Sequence, residues 1–129
     1  MASHRDDLHQ DLEELVSVRE NIELLDKLAD GQKPTEFPVS LHDIGDAWQL
    51  EVELPGVRQS DIHVAIEGTH VLLSGVKQRI PLDEEIAVLR NERSFGPFER
   101  RVGLPGDVQQ EEIRAVLGNG VLTVLLPKK

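Results

Sequence analysis

The 129-residue chain contains no cysteine, which excludes disulfides and thiolate chemistry and leaves the redox compartment open. Aromatic side chains are scarce: Trp48, Phe37, Phe95 and Phe98 are present, and there is no tyrosine. A core must therefore be aliphatic, made of Val, Leu and Ile. Apolar runs are short. None approaches the ~20 residues of a membrane-spanning helix, and Met1 to Asp7 lacks the apolar centre of a signal peptide, so a soluble, cytoplasmic protein without a membrane partner is expected. Clustered basic residues are lacking too. With a net charge of −10 the chain does not suit a phosphate backbone, and no nucleic-acid partner is expected.

Signs of chemistry are equally thin. The five histidines (His4, His9, His42, His63 and His70) show no close metal-ligand spacing, and without cysteine a zinc site is not expected. Ser60-Asp61-x-His63 holds the residue types of a triad but lacks a Gly-x-Ser-x-Gly elbow. No Gly-x-x-x-x-Gly-Lys-Ser/Thr loop is present for nucleotide phosphates. The reading is a non-enzyme with no catalytic residue, metal or cofactor.

What is present divides into two parts. Residues 1–36 carry four basic and ten acidic side chains, a net of −6, and form an acidic arm. Within it, residues 5–30 read as a helix, because Leu8, Leu12, Leu15, Ile22, Leu25 and Leu28 recur at three- and four-residue steps. Ser3 suits the cap, Asp6 and Asp7 the positive end of the dipole, and Gly31 with Pro34 the stop. Arg19 and Asp26 interrupt one heptad frame, so packing on the domain or on another chain fits the stripe as well as a coiled coil does. Residues 32–38 are a linker, since Pro34 and Pro38 exclude regular structure.

From residue 37 to 129 the period becomes two. Val39/Leu41, Trp48/Leu50/Val52/Leu54 and Ile62/Val64/Ile66 alternate with polar residues, as half-buried strands do. Val71–Val76 and Val121–Leu126 are more continuously apolar, as central strands are. "LPGVRQSDIHVAIEGTHVL" (54–72) and "LPGDVQQEEIRAVLGNGVL" (104–122) share one plan: Leu-Pro-Gly, a polar turn ending in an acid, a strand opened by Ile, and a Gly-containing turn. Each Leu-Pro-Gly can carry the chain from one sheet to the other. An all-β, antiparallel sandwich is expected. The stretch Lys77–Phe98 is long for a hairpin loop, and Ile86–Leu89 within it has strand character, which suits pairing outside its own sheet. A solvated loop fits the same residues.

Three stretches carry a family resemblance: "VELPGVRQSDIHVAIEGTHVLLSG", "RNERSFGPFERRVGLP" and "IRAVLGNGVLTVLLPK". Arg93-Ser94-Phe95-Gly96-x-Phe98-x-Arg100 before Leu104-Pro105, and Ala115-x-x-x-Asn119-Gly120-Val121-Leu122-Thr123-Val124, are the most specific. Over residues 39–127 the chain resembles the α-crystallin domain of small heat-shock proteins, of the bacterial and plant type with a long strand-exchange loop. The resemblance implies an immunoglobulin-like β-sandwich acting as an ATP-independent holdase, with non-native proteins as clients. It implies a homodimer or larger assembly in which Ile86, Val88, Leu89, Arg90 and Glu92 of one loop meet Val39 and Leu41 of a partner, with Arg100 in a charged contact nearby. It also implies a client or partner groove between Ile62, Val64 and Ile66 on one strand and Ile113, Ala115 and Leu117 on another.

Two features depart from the family pattern. Family members usually continue into a tail with an Ile-x-Ile-type motif that plugs this groove, whereas here the sequence stops at Lys129. The expectation is a groove unplugged by a tail unless another segment supplies the plug, and a dimer or small assembly. The arm is acidic and free of aromatics before Phe37, so its Leu stripe lying across the groove or between dimers is the alternative to client capture. An adaptor for a folded partner, or an assembly subunit for a tail-bearing homologue, also fits these residues.

Overall fold

A computed structural model describes residues 13–16, 18–19 and 37–129. Their strands are β1 (Glu13–Leu15), β2 (Val18–Arg19), β3 (Val39–Asp43), β4 (Ala47–Glu53), β5 (Ile62–Glu67), β6 (His70–Lys77), β7 (Gly96–Gly103), β8 (Arg114–Gly118) and β9 (Val121–Pro127). They form two sheets, ordered β1-β8-β9-β4-β3 and β2-β5-β6-β7. The neighbours pair antiparallel except β2, which runs parallel to β5. The β-sandwich expected from the period-two pattern is the architecture found.

The alternation decides which side chains face inward. In β9, Leu122, Val124 and Leu126 are fully buried while Val121, Thr123 and Leu125 are half-buried. β4 answers with Trp48, Leu50 and Val52, paired in register with Leu126, Val124 and Leu122. From the second sheet come Val64, Ile66, Val71, Leu73 and Phe98, so the core is aliphatic around Trp48 and Phe98. Phe37 meets that ring edge-on, with centroids 5.3 Å apart. Val71–Leu73 are buried on both faces of the sheet, as their continuous apolar run predicts.

Both Leu-Pro-Gly segments cross between sheets. The first links β4 to β5 and the second β7 to β8, each followed by one 3-10 turn (Gln59–Asp61 and Gln110–Glu112). The repeated sequence plan is thus a repeated corner. Asn119 and Gly120, both at positive φ (52° and 76°), make the tight β8–β9 hairpin that Asn-Gly favours.

The apolar run near the carboxyl end is the central strand β9, flanked by β4 and β8. The Lys128 ammonium donates to the Asp43 carboxylate (2.9 Å) and lies 5.2 Å from the Trp48 ring centre. Lys128 first, and then the Gly45 N–H, hold the Asp43 carboxyl below its ordinary value of 3.8. A depressed acid contributes stability above its unfolded value and loses it as pH falls through the folded one. An Asp43→Asn variant is therefore expected to melt slightly below the parent at neutral pH and together with it once the pH is well below 3.8. Melting curves across that range check this, and added salt shrinks the difference because the pair is exposed.

One expectation is corrected here. The helix over 5–30 does not hold at residues 13–15 and 18–19, which are strands. Val16, Ser17 and Val18 are weak helix formers, and two open sheet edges offer their backbone better partners. Of the Leu stripe, only Leu15 is described, and it is 71% exposed; Leu8, Leu12, Ile22, Leu25 and Leu28 lie outside the described residues. Residues 78–95, which include Ile86–Leu89, connect β6 to β7 without strand pairing within the chain.

Candidate functional site

The two sheets leave two edges side by side at one flank of the sandwich, β5 and β8. Every groove residue named from the sequence lies there and is buried: Ile62, Val64 and Ile66 from β5, Ala115 and Leu117 from β8, and Ile113 just before it. The structure brings these six together around a segment of the arm. β1 adds antiparallel to β8, with Leu15 opposite Val116 and Glu13 opposite Gly118. β2 then adds parallel to β5, with Val18 opposite Val64. One short segment therefore closes an edge of each sheet.

Val16 sits between the two sheets and is only 5% exposed, a member of the main core. Its N–H donates to the Ala115 carbonyl (2.8 Å), and the Leu15 carbonyl accepts from the Gln59 side-chain amide (2.6 Å). Val18 packs partly against the core, while Leu15 points to solvent. Beside this clasp a cleft of about 480 Å³ remains, bordered by Val18, Ile66, Ile113, Gln110 and Arg114. The groove thus reads an extended backbone and inserts the apolar side chains two apart, which is strand addition.

The clasp is thermodynamically slight. Burying Val16 contributes roughly 1.5–3 kcal/mol, and fixing the backbone of each docked residue costs about 1–2 kcal/mol. One deeply buried side chain and a handful of backbone hydrogen bonds hold the segment less firmly than the packed strands of the sandwich are held. Val16, Val18 and Gln59 were not singled out by the sequence reading. The available signal was the alternation Val16-Ser17-Val18, two β-branched residues at strand spacing inside a helical pattern.

The second candidate surface lies elsewhere. β3 is the outer strand of its sheet, with Val39 and Leu41 half-buried against the core and its far edge open among the described residues. The β6–β7 loop exposes Ile80, Leu82, Ile86, Val88 and Leu89, the last at 96%. Arg90 and Glu92 are exposed in that loop, and Arg100 is half-buried on β7 opposite Leu73. At the loop's root the Phe95 ring is ringed by cations, with Arg93, Arg79 and Lys77 at 4.8, 5.7 and 5.9 Å. Asp61 of the triad-like motif is occupied structurally, accepting from Arg58 and Gln78 (both 3.1 Å). Among the described residues no group of His and acids is placed to hold a metal, and no helix is long and apolar enough to cross a membrane.

With this geometry in view, comparison with known proteins gives a consistent result. Residues 41–129 match the model of the Hsp20/alpha crystallin family. The spore protein SP21 of Stigmatella aurantiaca is 38% identical over 103 residues, covering 78% of this chain and 61% of that protein. The 16.9 kDa class I heat shock protein 1 of Triticum aestivum is 44% identical over 84 residues, 64% of this chain and 56% of that one. The chain thus spans roughly three-fifths of the length of these relatives. Among solved structures, heat shock protein 16.0 from Schizosaccharomyces pombe superposes with a TM-score of 0.70 at 31% identity, covering 73% of this chain and 87% of the other. The hspA protein of Xanthomonas axonopodis gives 0.66 at 28% identity, with 75% and 97% covered.

Proposed function

The chain belongs to the Hsp20/alpha crystallin family of small heat-shock proteins, and from that premise we propose that it is an ATP-independent holdase that captures exposed apolar segments of unfolding proteins. The family is one of chaperones rather than enzymes. The observation that carries the reading is the β5–β8 groove with the arm seated in it. Its occupant is short and extended, and is gripped through backbone hydrogen bonds and one deeply inserted aliphatic side chain. An unfolding protein exposes many such segments. Sequence tolerance follows, because backbone pairing supplies much of the grip and only alternate side chains are read. The acidic surface keeps a loaded complex dispersed by self-repulsion.

The assembly that goes with this reading is a homodimer joined by the β6–β7 loop. The open β3 edge and the exposed Ile86, Val88 and Leu89 support it, since an unpaired edge and an unpaired apolar segment satisfy each other across two chains. A heat-labile client warmed without nucleotide should scatter markedly less light when the chain is present near one copy per client. The unheated chain should elute with a mass of at least two copies. Unsuppressed scattering by a folded protein would shift the activity to an adaptor or assembly subunit, and a monomeric mass would remove the loop from the assembly.

A further inference from the structure

Four basic side chains that are spread along the sequence from residue 58 to residue 93 meet in the fold. Arg58 stands on the corner between β4 and β5, Lys77 ends β6, and Arg79 and Arg93 lie at the two ends of the β6–β7 loop. Lys77, Arg79 and Arg93 gather about the Phe95 ring. Arg58, Arg79 and Arg93 line a cleft of about 380 Å³, and the end of the Lys77 side chain passes close to Gly56 at its rim. Asp61 is the carboxylate that borders this cleft, and both of its oxygens are taken, Oδ2 by Arg58 and Oδ1 by Gln78.

Such a concentration of positive charge runs against the rest of a chain whose net charge is −10. Among the described residues, none of Lys77, Arg79 and Arg93 forms an ion pair. Carboxylates are close at hand: Asp83, Glu84 and Glu85 follow Arg79 in the loop, and Glu92 adjoins Arg93. Tethered so near, they would pair with the cluster if single carboxylates satisfied it, yet the cations stay crowded round one ring. Like charges without a counter-charge raise the local potential, and guanidinium forks suit oxyanions that bring several oxygens and more than one charge. A chain of phosphates meets both needs. We propose that this cleft binds an oligophosphate, inorganic or the tail of a nucleotide, held by Arg58, Arg79 and Arg93 with Lys77 adding charge at the rim. Bridging Arg79 to Arg93 ties the two ends of the loop together, and Arg58 ties both to the sandwich. Occupancy therefore steadies the loop that carries Ile86, Val88 and Leu89, and neither hydrolysis nor the β5–β8 groove is involved.

Calorimetric titration of the full chain with sodium tripolyphosphate, at low salt and without divalent cations, should show saturable binding that weakens as salt is added. A variant carrying both Arg79→Gln and Arg93→Gln should bind at least about tenfold more weakly. Arg101→Gln, which removes the exposed β7 arginine paired with Glu67, should bind as the parent does. Melting curves establish that the variants are folded, and Arg58→Gln serves if the double variant is not. Bound tripolyphosphate should slow hydrogen exchange across residues 78–95 in the parent and not in the double variant. ATP binding no more tightly than tripolyphosphate would show that the phosphate chain is what is read, and much tighter binding would make a nucleotide its source; either upholds the site. Equal weakening by Arg101→Gln would mean diffuse attraction to charge and overturns it. Absence of saturable binding overturns it too, as does tighter binding of tetraglutamate, which would give the cleft to a carboxylate-rich segment.

Discussion

Replacing Gly75 with alanine is expected to lower the melting temperature by on the order of 10–25 °C, whereas the same change at Gly103 should move it by only a few degrees. Both glycines lie in paired strands, β6 and β7. A Cβ on Gly75 would stand 1.9 Å from the Asp61 carbonyl oxygen and 2.7 Å from the Phe98 ring. The first obstacle is backbone, held by the Asp61 N–H donating to Arg58 O (2.9 Å) and by two side chains on its carboxylate. The second is a ring buried in the core. Neither can withdraw without opening the corner between the sheets, so the cost is about 2–4 kcal/mol. A Cβ on Gly103 meets only the His70 ring at 3.5 Å, an ordinary contact. Thermal or urea unfolding of the two variants decides the matter. Equal midpoints would mean that the corner does not press on β6.

The second large effect is functional. Val16→Asp should raise client protection, so that several-fold fewer chains suppress the same scattering. Losing the buried valine removes roughly 1.5–3 kcal/mol from the clasp, and a carboxylate between two apolar sheets adds a desolvation cost. Together these weaken docking of the arm by about 100-fold or more, since 1.4 kcal/mol is a factor of ten. The core of the sandwich stays intact because β3–β9 supply it. The melting point should therefore fall by only a few degrees. Protection that drops instead would make Val16 part of the client surface. Unchanged protection would move client capture away from the groove.

Much of this protein is legible in its sequence. The period-two alternation of β4, β5 and β9 names the inward residues because a pleated strand sends successive side chains to opposite faces. Both Leu-Pro-Gly corners follow from the backbone limits of proline and glycine, and the Asn119-Gly120 hairpin from positive φ. All six groove residues were named by resemblance, and all six lie at the β5 and β8 edges. The arm resisted such reading. Leu8, Leu12 and Leu15 satisfy a helical period, but that pattern reports only local consistency. The choice at residues 13–19 depends on hydrogen-bonding groups of Ala115, Val64 and their neighbours, about a hundred and about forty-five residues away along the chain.

The loop divides in the same way. Its composition, with Ile86, Val88 and Leu89 after Asp83-Glu84-Glu85, is that of a strand, and composition alone leads to that expectation. Pairing is a property of two segments, and within its own chain this one stays unpaired. By itself the sequence determined where side chains alternate and where the chain turns, because these depend on neighbours a few residues apart. Tertiary structure alone decided that two sheet edges lie close enough for one short segment to close both, and that Val16 rather than Leu15 fills the space between them. Edge satisfaction is non-local, and an unpaired backbone takes whichever partner the completed fold brings within 3 Å.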